Sequence, residues 1–225
     1  MHVSADPRLH VGRVPDQARG LVLMLHGGAE HGLDPIDDRS MAFRRTRWMQ
    51  RSISARFAER QVAVARLNFT VKGWNAASGP VPAPVADARR ALAAIRAEHP
   101  RLPVVLLGHS MGARTAAWVA DDPAVVGVVG LAPWFPPADP VDALAGKHLV
   151  AAHGRRDRIT NARATARFVR RAEEVAASAT FVDMGALGHY MITGVRRWNA
   201  TAVSASLGIL DRSSAGTVSG ITSPE

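Results

Sequence analysis

Short apolar, β-branched runs alternate with amphipathic helical stretches along nearly the whole chain, and this alternation limits the folds open to it. Residues 21–25, 62–68, 103–108, 125–131, 147–153 and 180–184 read as strands. Between them the apolar residues recur at helical spacing. Met49, Ile53 and Phe57 mark a helix over 41–60, and Val85, Ala88, Leu92 and Ile95 mark a second. A third follows residue 108 and runs to about 121. Ala164, Phe168, Ala172 and Val175 mark the next, and Val195, Trp198, Ala202, Ala205 and Ile209 the last. Strands separated by helices need crossover connections, so the expected fold class is α/β: a mostly parallel sheet with helices on both faces. At 225 residues the chain suits one well-buried core. Residues 1–210 are expected to form the domain. The Ser-, Gly- and Thr-rich residues 211–225 are expected to form a flexible tail. The Gly- and Pro-rich residues 79–84 read as a rigid loop into a helix.

In such sheets ligands gather at the carboxyl ends of the strands. One of those ends carries Gly108-His109-Ser110-Met111-Gly112, between the apolar strand 103–108 and a helical run. A Gly-x-Ser-x-Gly pentapeptide in that setting makes a turn so tight that side chains at the flanking positions would collide, and glycine removes them. The serine hydroxyl then stands above the sheet edge near a helix amino terminus. The backbone N–H of Met111 points to where an oxyanion would form.

A serine hydroxyl is a weak nucleophile until a histidine takes its proton, and the histidine needs a carboxylate to orient it. Asp157 lies in the loop after strand 147–153 and is the candidate acid, with Asp139 and Asp142 as rivals; Asp183 sits too close to its strand. His189 lies between the last strand and the last helix and is the candidate base. His153 heads the acid loop, where it is expected to hydrogen-bond the backbone. His26 and His109 sit inside motifs but beside the reacting positions. The first strand ends in Leu25-His26-Gly27-Gly28-Ala29, whose glycines let the backbone turn its N–H groups toward the serine. Gly28 is the expected second oxyanion donor, with Ala29 as the alternative.

These four segments, in this order, resemble the α/β-hydrolase superfamily. The resemblance spans residues 21–209. Residues 66–75, Arg-Leu-Asn-Phe-Thr-Val-Lys-Gly-Trp-Asn, are similar to a loop of small dienelactone-hydrolase-like esterases, with Thr70 and Asn75 departing from the usual pattern. Dienelactone hydrolases proper use cysteine where this chain has Ser110. The resemblance implies a single-domain α/β-hydrolase fold and a serine hydrolase of the carboxylesterase type. In that reading Ser110, His189 and Asp157 form the triad, and Met111 and Gly28 the oxyanion hole. An acyl thioesterase, or a binding module that kept the fold without the chemistry, are the alternatives. Many members insert a helical lid after the strand ending near Leu131. Here the connection is only residues 132–146, so no separate cap domain is expected. Trp134 and Phe135 are expected either to wall an open, shallow site or to pack against their own loop.

Composition narrows the remainder. Cysteine is absent, which excludes a thiol nucleophile, disulfides and thiolate metal sites. No apolar run approaches membrane-spanning length. Residues 1–7 lack the basic start and apolar stretch of a secretion signal, so a cytoplasmic location is expected. The chemistry implied needs no metal or other cofactor. The net charge of +9 comes largely from arginine, since Lys72 and Lys147 are the only lysines. The densest cluster, Arg44 to Arg51, reads as the solvated side of its helix, and no nucleic acid partner is expected. Asp34, Asp37 and Asp38 form an acidic patch near the presumed site mouth. The expected partner is a small acyl substrate; the oligomeric state is left open.

Overall fold

Strands with apolar residues on both faces can only be satisfied inside a three-layer arrangement, and that is what the chain adopts. The computed structural model describes residues 8–36, 40–75 and 81–218. In chain order the elements are β1 (Leu9–Val11), β2 (Gly20–Leu25), α1 (Met41–Ala58), β3 (Val62–Leu67), α2 (Ala83–Glu98), β4 (Val104–His109), α3 (Met111–Trp118), β5 (Val125–Leu131), β6 (His148–His153), α4 (Ala162–Ala172), β7 (Ser178–Asp183) and α5 (Val195–Val218). The seven strands form one sheet in the order β1-β3-β2-β4-β5-β6-β7. Every pairing is parallel except β1 with β3.

Each central strand divides its side chains between two cores. Leu21, Leu23 and Leu25 of β2 pack with Leu92 of α2, Ala113 and Ala116 of α3 and Phe168 of α4. Val22 and Met24 of the same strand pack with Met49, Ile53 and Phe57 of α1 and Trp198 and Ala202 of α5. Helices α2, α3 and α4 therefore cover one face, and α1 and α5 the other. The stripe on α1 faces the core, as its spacing implies. The chain passes from β3 across β2 to β4, so strand order reverses between β2 and β4. The crevice at such a reversal is where α/β sheets place ligands. Between β5 and β6 there is one 3-10 turn, Asp142–Leu144, and no helical lid.

The last helix runs past residue 210, where the tail is expected to begin, as far as Val218. The hydroxyls of Ser213 and Ser214 donate back to the Leu210 carbonyl, and Asp211 pairs with Arg19 at 2.6 Å. These contacts keep small polar residues helical where composition suggested a flexible tail. Residues 219–225 lie outside the described residues. So do Gly79 and Pro80 of the rigid loop and Asp37 and Asp38 of the acidic patch. The strand β1 was not anticipated: three residues on a sheet edge carry too little periodicity to read. Among the described residues no helix is long and apolar enough to cross a membrane.

Candidate active site

Ser110 sits between β4 and α3 with φ 53° and ψ −117°, a conformation that costs a non-glycine residue free energy. The surroundings enforce it. A Cβ on Gly108 would overlap the backbone of Gly112 and Ala113, and a Cβ on Gly112 would overlap the carbonyls of Leu25 and His26. The turn is thus wedged between its own helix and the end of β2. Gly112→Ala should force backbone apart in the middle of the sheet, because both clashing groups are main chain. We expect a loss of about 2–4 kcal/mol, read as a lowered Tm. A thermal midpoint equal to the parent's would contradict the packing described.

Met111 is the first residue of α3, so its N–H has no acceptor within the helix. Across the crevice, Ala29 N–H is committed to the Lys72 carbonyl at 2.9 Å. Ala29, the alternative to Gly28, therefore has its N–H already occupied. A Cβ on Gly28 would overlap the Met111 side chain and the Lys72 carbonyl, so only glycine lets this loop lie so close.

The acid loop follows β6. Asp157 accepts backbone N–H bonds from Ile159 and Thr160 at Oδ1, both 2.8 Å. At Oδ2 it meets His189 Nδ1 at 2.8 Å, Thr160 Oγ1 at 2.9 Å and His153 Nε2 at 3.1 Å. Burial alone would raise this carboxyl. The bonds from His153, His189 and the two backbone N–H groups outweigh it and hold the group well below the usual carboxylate range. Asp157 is therefore an anion in a fixed orientation.

The rival acids are engaged elsewhere. Asp139 is buried in a two-point ion pair with Arg114, at 2.6 and 2.7 Å. Asp183 pairs with Arg155 at 2.8 Å, and Asp142 is exposed in the 3-10 turn.

His189 lies in the loop between β7 and α5 and is 6% exposed. Its Nδ1 faces Asp157, which leaves Nε2 as the nitrogen able to exchange a proton. Two devices hold this loop against the rest of the site. The acid loop donates from Arg155 N–H to Gly185 O at 2.6 Å and from Arg156 N–H to Leu187 O at 3.2 Å. His109, the residue before Ser110, donates from Nε2 to the His189 carbonyl at 3.0 Å. Their rings approach with centroids 4.9 Å apart. Burial, then the neighbouring His189 and Arg45, push the His109 imidazole down to about 3, so it is neutral. Its Nδ1 is buried with no hydrogen-bond partner.

Three histidines thus do more than the sequence suggested. His153 does not bond the backbone of its loop: its ring joins the Asp157 carboxylate to the Thr165 hydroxyl, 2.8 Å from Nδ1. His109 ties the base loop to the serine turn. His26 accepts Phe69 N–H at Nε2, 3.1 Å, and so joins the ends of β2 and β3; burial pushes its imidazole down to about 4. Thr160 was not anticipated at all, although its hydroxyl reaches both Asp157 and His189 Nδ1, the latter at 3.1 Å. The only available signal was its place three residues after Asp157, where a hydroxyl can return to the carboxylate.

The two aromatics after β5 part company. Phe135 is not a wall of the site: it is 3% exposed and stacks on Phe168 of α4 with centroids 4.0 Å apart. The helix α4 beneath it offers an apolar partner that a loop alone would lack. Trp134 stays half-buried beside the turn, its N–H donating to the Ser110 carbonyl at 3.3 Å. Trp134 and Trp74 hold the Arg114 guanidinium, 4.3 and 4.0 Å from their ring centroids. Among the described residues no cluster of His, Asp or Glu is arranged to hold a metal ion.

Comparison with known proteins agrees with this geometry. Residues 73–152 match the family model for serine aminopeptidase, S33. A thermophilic esterase from Thermogutta terrifontis is 15% identical, with TM-score 0.65 over 91% of this chain and 88% of that one. A lidless α/β serine hydrolase from Xanthomonas campestris is 20% identical, with TM-score 0.57 over 91% and 87%. The chain has the α/β-hydrolase fold. The esterase Est1E from Butyrivibrio proteoclasticus, whose structure holds ferulic acid, is a further α/β-hydrolase likeness: 12% identical, TM-score 0.61, over 94% and 99%. A comparison with curated proteins finds no match. The β5–β6 connection carries no lid, and in this the fold is like that of the lidless protein from Xanthomonas campestris.

Proposed function

We propose that this α/β hydrolase is a serine esterase that cleaves small acyl esters through an acyl-enzyme. Ser110 attacks the ester carbonyl, and His189 takes the hydroxyl proton and returns it to the leaving alcohol. Water then attacks the acyl-enzyme with His189 again acting as base. Asp157 orients the imidazole and stabilises its charged form. The N–H groups of Met111 and Gly28 receive the oxyanion.

The observation that carries the reading is the buried Asp157–His189 pair, 2.8 Å apart, joined through His109 to the turn that bears Ser110. A structural ion pair would not require a strained serine beside it. The esterases among the structural likenesses support the same class. The missing lid favours small or exposed esters.

Labelling with a fluorophosphonate probe tests this directly. Stoichiometric modification should map to Ser110 by peptide mass spectrometry and should vanish after heat denaturation. Failure of the native protein to label would overturn the proposal in favour of a binding module.

A further inference from the structure

Apolar surface on this protein is concentrated beside the base loop. Of the nine large hydrophobic residues exposed among the described residues, five line or border one cleft: Met41, Trp48, Tyr190, Ile192 and Val195. Patches of this kind on a soluble protein usually serve binding. The cleft holds about 330 Å³ between α1 and the start of α5, and Met49 and Met191 line it as well. It adjoins the site: Tyr190 follows His189 directly, and the two rings meet edge to face with centroids 5.5 Å apart.

One cation stands in this apolar wall. Arg45 is half-buried, and its guanidinium lies 5.0 Å from the Tyr190 ring centroid. It makes no ion pair or hydrogen bond with any described residue. Two arginines that are more deeply buried have partners: Arg114 pairs with Asp139, and Arg66 bonds Gln50 and Asn68. Burial works against the charge on Arg45, and that charge is felt at His109 beside Ser110. A half-buried guanidinium set against an apolar channel matches a ligand that is apolar along its length and anionic at one end. A fully apolar ligand would leave the cation without a partner.

We propose that this cleft receives the acyl part of an ester whose aliphatic chain ends in a carboxylate, and that Arg45 pairs with that carboxylate. The assignment rests on the serine-esterase reading above and adds the substrate class to it. Arg45 acts in recognition, so its effect falls on the difference between charged and uncharged substrates.

The 4-nitrophenyl monoester of adipic acid and its uncharged methyl diester separate the cases. The parent protein should prefer the charged ester about tenfold in kcat/KM at low salt. Arg45→Met should erase that preference and Arg45→Lys should keep part of it. Equal rates with both esters in the parent, or a preference that survives Arg45→Met, would overturn the assignment. A second measurement needs no catalysis: calorimetric titration of adipate into Ser110→Ala protein. Saturable binding that is lost when Arg45→Met is added supports the cleft even if neither ester is cleaved, in which case only the esterase reading fails. Absence of heat at millimolar adipate overturns the cleft even if neutral esters are hydrolysed.

Discussion

Replacing Ser110 with alanine is expected to lower kcat for 4-nitrophenyl butyrate by about 10⁵-fold. The step that fails is bond formation. Without Oγ no acyl-enzyme can form, and a water in its place lacks the fixed position and the strain of the turn. A residual rate about 10³-fold above the uncatalysed one should survive, because the proposed oxyanion donors, Met111 and Gly28 N–H, are main-chain groups that the substitution leaves in place. The fold should tolerate the change. Position 110 already carries a Cβ at φ 53°, and the wedge that holds the turn is formed by Gly108 and Gly112. Steady-state kinetics with circular dichroism on the same sample checks both halves. A well-folded Ser110→Ala protein with a tenth of the parent activity would remove the serine from the mechanism.

Asp157→Asn is expected to cost about 10⁴-fold in kcat with little change in KM. The reason lies in which oxygen is held by what. Oδ1 accepts two backbone N–H bonds, from Ile159 and Thr160, so the amide of an asparagine must keep its oxygen there. Its NH₂ then occupies the Oδ2 position, facing His189 Nδ1 and His153 Nε2. A donor facing Nδ1 forces the proton of His189 onto Nε2, and in that tautomer the ring cannot accept the serine proton. Asp157→Ala leaves Nδ1 free to choose, so it should retain more activity than the asparagine variant. An asparagine variant as active as the parent would show that another group orients His189.

The sequence carried the fold well because its signals were local and redundant. Six strands and five helices could be placed from β-branched runs and apolar spacing, which repeat within each segment and need no distant partner to be read. What escaped was governed by partners distant in sequence. The end of α5 depends on Arg19 and on serine hydroxyls that turn back into the helix, neither visible as periodicity. The strand β1 exists because β3 offers it an edge.

The same distinction holds at the site. Ser110, Asp157 and His189 could be nominated because each sits at a strand end in a recognisable order. The burial of Phe135 could not, because it depends on Phe168, which lies on another element. The second imidazole on Asp157 was equally hidden. His153 ends a strand that any side chain could end, and only the loop's curl brings its Nε2 to 3.1 Å from the carboxylate.

The hydrogen bond from His109 to the His189 carbonyl joins residues 80 positions apart, from the centre of the sheet to the loop beyond its outermost strand. Such a link needs β5, β6 and β7 all in place beside β4. A chain still emerging during synthesis, or one nicked ahead of β7, would therefore carry the serine without the means to use it. On the proposed mechanism hydrolytic competence is a property of the finished sheet, and its appearance during refolding would report that the last strand is in place.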